Sequence, residues 1–165
     1  MTASLKRQES QEDDILEAVQ SMATINNAID YMTADLQAAV HAATDITGFG
    51  FSGHSMQLAN ASQVTLSIQA EKLPRFTKTF SCLEHSFLTK AHRTNAEYTE
   101  PNIDVSNLDQ LHRLLIHDPQ TSGGLLLSIS PAVSHAMIQA LRSKFKSAEI
   151  VGQVLPRQHK AVVFE

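Results

Sequence analysis

An α+β fold, with helices packed on a mixed and mostly antiparallel sheet, follows from three features of this sequence. Helix-period and strand-period segments are interspersed along the 165 residues rather than gathered into separate blocks. The segment Gln63-Val64-Thr65-Leu66-Ser67-Ile68-Gln69 alternates polar and apolar residues, as a strand with one buried face does. Two apolar runs close the chain, residues 149–155 and 161–164, and the short polar stretch between them predicts a hairpin.

Taken in order, residues 1–11 are polar and read as disordered or linker, and residues 12–165 read as one domain. Ser10 and Asp13 resemble a capping box, and Asp13 and Asp14 suit the positive end of a helix. Ile15, Val19, Met22, Ile25, Ile29, Met32 and Leu36 recur at three and four, which predicts one amphipathic helix of about six turns. Residues 40–44 form a short buried strand, a glycine loop follows, and residues 51–61 read as a helix with Met56 and Leu58 inward. After the 63–69 strand and Pro74, Phe76, Phe80, Leu83 and Phe87 predict a second amphipathic helix. Residues 92–106 carry Thr94, Asn95, Pro101, Asn102 and Asp104, all turn formers, and read as irregular. A helix on Leu108, Leu111, Leu114 and Leu115 stops before Asp118-Pro119, because the residue preceding proline leaves the α region. Residues 120–124 make a second glycine loop that feeds residues 125–130, an apolar run suited to an interior strand. Ser130-Pro131 is an N-cap followed by proline at the first helical position, opening a helix on Val133, Met137, Ala140 and Leu141. The expected order is α-β-α-β-α-α-β-α-β-β.

Composition narrows the function classes. The length suits one domain, or one half of a larger two-domain protein. With 42% apolar residues, 18% charged and a net charge of −4, the chain has no electrostatic footprint for nucleic acid or an anionic membrane. It lacks an apolar run of membrane-spanning length and a secretory h-region, so a cytoplasmic domain is expected. A single cysteine, Cys82, excludes an internal disulfide and any multi-cysteine metal site.

The chemistry concentrates in Ala43-Thr44-Asp45-Ile46-Thr47-Gly48-Phe49-Gly50-Phe51-Ser52-Gly53-His54, which holds three of the six glycines. Such a loop can bring backbone N–H groups to a phosphate, and its carboxylate can hold a hard cation. Gly48, Gly50 and Gly53 also spell G-x-G-x-x-G, with Glu71 near the spacing of a ribose-binding acid in a dinucleotide fold. In that fold the first glycine follows the strand almost at once, whereas Asp45, Ile46 and Thr47 intervene here. An ionised Asp45 at about 5 Å from a pyrophosphate costs on the order of 3 kcal/mol at an effective dielectric near 20. A magnesium ion between them turns that repulsion into bridging. The residues alone leave open the simpler reading, in which Asp45 caps the helix and the glycines only turn the chain.

The same loop resembles the A/C-T-D-V-T-G-F-G-L-x-G-H motif of selenide, water dikinases (selenophosphate synthetases). Asp118-Pro119-Gln120-Thr121-Ser122-Gly123-Gly124-Leu125-Leu126 resembles that family's second signature, in the same order. The resemblance spans roughly residues 12–165, the C-terminal half of such an enzyme, within a superfamily that includes aminoimidazole ribonucleotide synthetase and thiamine-phosphate kinase. It implies the α+β C-terminal domain of the aminoimidazole ribonucleotide synthetase-like fold. It also implies ATP-dependent conversion of selenide to selenophosphate, with release of AMP and phosphate. By the same resemblance Asp45 is a Mg2+ ligand, Thr44, Thr47, Gly48 and Gly50 shape the nucleotide-side loop, and the 118–124 loop has a structural or site-lining role. The catalytic lysine, the reactive cysteine or selenocysteine, the glycine-rich ATP loop and further metal-binding aspartates belong to an N-terminal half. No catalytic residue is therefore expected in this chain, which alone would be inactive. Its expected partners are that N-terminal domain, ATP, selenide and a second copy in a full-length homodimer.

Three positions depart from the pattern. Cys82 lies among Phe80, Leu83 and Phe87 and reads as a buried structural thiol, not the reactive one. Lys90 stands where the family has glycine, and of a following R/N pair only Asn95 matches, so neither receives a role. Phe51-Ser52 replaces Leu-Leu after the loop. Of the eight histidines, His54 is expected to hold the loop by hydrogen bonding rather than bind metal, and His41 flanks it. His85, His92, His112, His117, His135 and His159 read as scattered surface residues. Two other functions remain at this point: a stand-alone oligomerisation or regulatory module, and a dinucleotide-binding domain.

Overall fold

The computed structural model describes residues 2–165. It is α+β, with the strands divided between two sheets instead of one. Helix α1 (Thr2–Lys6) is a single short turn within the stretch read as linker, and its Ser4 is buried. Helix α2 (Glu12–Met22) covers only the first part of the expected six-turn helix. The chain then makes a 3₁₀ turn at Ala28–Tyr31 and restarts as α3 (Ala34–Ala38), capped by Thr33 Oγ1, which accepts from the Leu36 N–H. The apolar spacing continues through this break, but Thr24, Asn26, Asn27 and Thr33 offer the backbone competing hydrogen bonds. Leu36 consequently reaches the core, while Ile25 and Ile29 are left 77% and 61% exposed.

Strand β1 (Val40–Asp45) leads through the glycine loop into α4 (Gly50–Ala61), and β2 (Val64–Ile68) follows. Helix α5 (Thr79–Glu84) is shorter than the phenylalanine spacing predicts, leaving Phe76 and Phe87 outside it. Helix α6 (Lys90–Thr99) occupies the stretch read as irregular. Its turn formers are absorbed into the helix: Thr89 caps it, and the Thr94 and Thr99 hydroxyls donate to the Ala91 and Asn95 carbonyls at 3.0 and 2.9 Å. After β3 (Ile103–Asp104), α7 (Gln110–His117) ends at Asp118 as the proline requires. Then come β4 (Leu125–Ile129), α8 (Ser134–Arg142), β5 (Gly152–Pro156) and β6 (Val162–Phe164).

Strands β1 and β4 form a two-stranded antiparallel sheet, so β4 is half-buried and not the interior strand its composition suggested. The other sheet has the order β3-β6-β2-β5, with β5 antiparallel to β2, and β6 parallel to both β2 and β3. The closing strands are thus not a hairpin; β2 lies between them. Thr65, buried at the start of β2, fastens the crossing segment by donating to the Lys160 carbonyl at 2.7 Å and accepting from the Gln158 N–H at 2.9 Å.

The main core lies where Met56, Leu58 and Ala59 of α4 meet Leu66, Ile68, Val162 and Phe164 of the larger sheet and Ile116 of α7. A second core joins Leu36, Met137 and Leu141 to Val40, Leu125, Leu127 and Ile129 on the inner face of the small sheet. Cys82 is buried, with Sγ 3.8 Å from Ser4 Oγ, which agrees with a structural thiol. Among the described residues no helix is long and apolar enough to cross a membrane.

Candidate functional site

Asp45 is the last residue of β1 and pairs with Leu125, the first residue of β4. Both glycine loops therefore leave the same end of the small sheet, although they lie far apart in sequence. They are laced together: Ile46 N–H donates to Gly124 O at 2.9 Å, Gly123 N–H to Ile46 O at 3.1 Å, and Gln120 N–H to Thr47 O at 3.1 Å. Asn26 adds a fourth tie from the segment after α2, its Nδ2 donating to Gly123 O at 2.8 Å. Ile46 is buried and anchors the junction.

Two glycines are required by this packing. Gly50 has φ +67°, and a Cβ there would lie 3.0 Å from backbone atoms of Ile116, His117 and Asp118, so α4 begins directly on the end of α7. A Cβ on Gly123 would lie 2.4 Å from Ile46 O. Close backbone passage in the second loop is therefore confined to Gly123; Gly124 and Gly48 face open space.

The residues read as nucleotide-side take different positions. Asp45 is exposed, and no hydrogen bond or ion pair engages its carboxylate among the described residues. Thr44 is half-buried and its hydroxyl contacts the Asp45 carbonyl at 3.3 Å. Thr47 Oγ1 lies 2.9 Å from His54 Nε2, so His54 does hold the loop by hydrogen bonding. Gly48 is exposed, and its carbonyl accepts from Asn95 Nδ2 at 2.9 Å. The Gly50 and Ile46 N–H groups are already used, on Thr47 O and Gly124 O, so neither cradles a phosphate.

Behind the loops is a buried polar layer that the sequence reading missed. His92 and His117 are buried, not surface residues, and stack edge to face at 6.0 Å. His117 Nδ1 is 2.8 Å from Ser52 Oγ, and His92 Nε2 is 2.8 Å from the Leu114 carbonyl. Asn95 bridges Gly48 O and His117 O. The available signal was spacing: His92, Asn95 and Thr99 fall at three and four, on one helical face. Burial pushes the Asp118 carboxyl up, with His92 acting the other way and Gln120 Nε2 donating to it at 3.2 Å.

Burial, reinforced by His92, lowers His117 from 6.5 to about 4. As pH falls below the ordinary value, the unfolded chain takes up this proton first, so stability should decline between about pH 6.5 and pH 4, by on the order of 3 kcal/mol. Asp118 works oppositely, because its raised value favours the folded state as pH falls through it. The expected result is a urea midpoint that drops from pH 7 to 4.5, with a shallower drop in His117→Asn; parallel profiles would refute this assignment.

The donor set can be tested against a metal. No group of three or more His, Cys, Asp or Glu side chains suited to a metal occurs among the described residues. An exposed single carboxylate does fit Mg2+, which is commonly held by one or two carboxylates, water and substrate phosphates. Asp45 would hold the ion from this side. The dinucleotide reading does not fit: it needs the strands flanking the glycine helix parallel in one sheet, whereas β1 and β2 lie in different sheets.

A family model described as AIR synthase related protein, C-terminal domain, matches residues 1–165. Proteins named selenide, water dikinase from Nitrosomonas eutropha and from Bdellovibrio bacteriovorus are each 68% identical over 165 residues, covering 100% of this chain and 47% of theirs. The chain spans about half the length of these curated relatives. Among solved structures, hydrogenase maturation protein HypE in complex with ATP matches with a TM-score of 0.56 at 16% identity, over 88% of this chain and 38% of that one. Thiamine monophosphate kinase from Aquifex aeolicus matches with a TM-score of 0.50 at 20% identity, over 98% of this chain and 44% of that one. At these identities the structural likeness is one of fold. The chain belongs to the family of AIR synthase related protein C-terminal domains.

Proposed function

We propose that this chain forms one wall of the metal–nucleotide site of a selenide, water dikinase, which turns selenide, ATP and water into selenophosphate, AMP and phosphate. The observation that carries this reading is the junction of the two glycine loops, which presents Asp45 exposed at the end of β1. The relatives at 68% identity carry the dikinase name, and ATP is the ligand named for one HypE structure of similar fold. Bound Mg2+ would neutralise phosphate charge and polarise a phosphoryl group. The chain's own part is to hold one carboxylate oxygen in place, with the loop behind it fixed by His54 and Asn95. Gly48, three residues on, faces open space, with nothing within 4 Å of where its Cβ would be.

A single carboxylate and a glycine loop neither position ATP nor activate selenide, so the isolated chain is inactive in this reading. The partner is the remaining half of the dikinase. Leu16, Val19, Met22, Ile25 and Ile29 are 45–77% exposed and form an apolar surface that such a half can cover. Asn26, within that run, touches Gly123 of the junction, so the surface adjoins the proposed site.

Co-expression with a matching N-terminal half tests the proposal. The pair should form AMP from ATP only when selenide is present, and this chain alone should form none. Selenide-dependent AMP from the isolated chain, or a stably associated pair that forms none, would refute it.

A further inference from the structure

We infer that Asn95 is the positioning residue of the Asp45 loop, fastening that loop to the end of α7 through both hydrogens of one side-chain amide; its functional meaning rests on the proposed metal role of Asp45. An α-helix leaves its last carbonyls without intrahelical partners. Two near the end of α7 are taken by side chains of α6: Leu114 O by His92 Nε2 at 2.8 Å and His117 O by Asn95 Nδ2 at 3.1 Å. A carbonyl only accepts, so His92 carries its proton on Nε2. The second Nδ2 hydrogen of Asn95 reaches Gly48 O at 2.9 Å. One primary amide thus spans the seam between the two motifs, three residues beyond Asp45 on one side and directly before Asp118 on the other.

Few side chains can replace this arrangement. The two acceptors need two N–H groups from one buried centre, and Asn95 is only 4% exposed. An aspartate of the same shape has no N–H and would face both carbonyls with a carboxylate. Thr47 and His54, 2.9 Å apart, tie the loop to α4, a hydrogen bond that does not involve α7. Without Asn95 the side-chain hydrogen bonds from α6 that join the Gly48 carbonyl to the α7 end are lost, and the Gly48 turn depends on the Thr47–His54 contact and on the lacing of Ile46 and Thr47 to residues 120–124.

Amide exchange on the full 165-residue chain tests this, comparing the natural protein with Asn95→Ala and Asn95→Asp. Exchange should accelerate roughly tenfold or more in both variants at Gly50, whose N–H closes the Gly48 turn onto Thr47 O, and at Gln120, whose N–H bonds across the seam to Thr47 O. Leu66 and Gln69, bonded in the larger sheet, should stay unchanged. With Mn2+ as the probe, broadening centred on the Asp45–Gly48 amides should weaken or spread in the variants. Unchanged exchange at Gly50 and Gln120 overturns the inference, as does an Asn95→Asp chain that matches the natural one, since volume alone would then suffice. Equal loss of protection at Leu66 and Gln69 also overturns it, by making Asn95 a strut for the whole domain. Failure of Mn2+ to broaden Asp45 in the natural protein refutes the metal role instead, and the exchange data then decide the role of Asn95 by themselves.

Discussion

Asp45→Asn should abolish selenide-dependent AMP formation by the assembled two-half protein while leaving this chain folded. The exchange is nearly isosteric, and the side chain is exposed and engaged by no described partner, so no packing is disturbed. Surface changes of this kind shift stability within about 0.5 kcal/mol, or roughly 2 °C for a chain of this size. The electrostatic consequence is larger. A neutral amide oxygen is a weaker ligand for a hard divalent ion than a carboxylate, and it leaves one less negative charge to offset the cation. If Asp45 anchors the metal, several kcal/mol of transition-state stabilisation are lost, on the order of a thousandfold in rate. Calorimetry on the isolated chain and AMP release by the assembled pair separate the two effects. An unchanged kcat/KM across a magnesium titration would remove Asp45 from the metal site.

The ingredients of the site were legible, but its assembly was not. Glycine spacing and the placement of Asp45 marked the first loop, and Asp118-Pro119 marked where α7 stops, because both signals act on neighbouring residues. The lacing of Ile46 and Thr47 to residues 120–124 depends on β1 pairing with β4, a contact between segments with no local signature. Misreadings had the same origin. The spacing from Ile15 to Leu36 stayed helical by coincidence across residues whose side chains compete for the backbone, and the chain broke there. In α6 the opposite happened: threonines and an asparagine that favour turns were held in a helix because His92, Asn95 and Thr99 are buried against the loop and α7. The closing strands looked like a hairpin because proximity in sequence was the only guide, whereas β2 supplies both with a better-aligned partner. Periodicity locates elements; it does not order them in a sheet.

The same lacing predicts a sharp difference between adjacent glycines. Gly123→Ala should destabilise the chain by about 2–5 kcal/mol, whereas Gly124→Ala should be neutral or slightly stabilising. A methyl on Gly123 would meet Ile46 O at 2.4 Å and the Gln120 and Ile46 Cβ atoms at 3.1 Å, a collision with backbone that no rotamer relieves. Relief requires the loops to separate, and separation strains the bonds from Gly123 N–H to Ile46 O and from Ile46 N–H to Gly124 O. Ile46 is buried, so its freed backbone groups would not all reach water. At Gly124 the added methyl meets nothing within 4 Å and the backbone needs no positive φ, leaving only the reduced entropy of the unfolded chain. The first loop offers the same contrast, with Gly50 confined by its φ of +67° and the end of α7 while Gly48 is sterically free. Urea denaturation of the four single alanine variants reads all of this directly. Equal midpoints for Gly123→Ala and Gly124→Ala would mean that the two motifs do not meet as closely as 2.4 Å implies, and the half-site would lose the support that holds Asp45 in place.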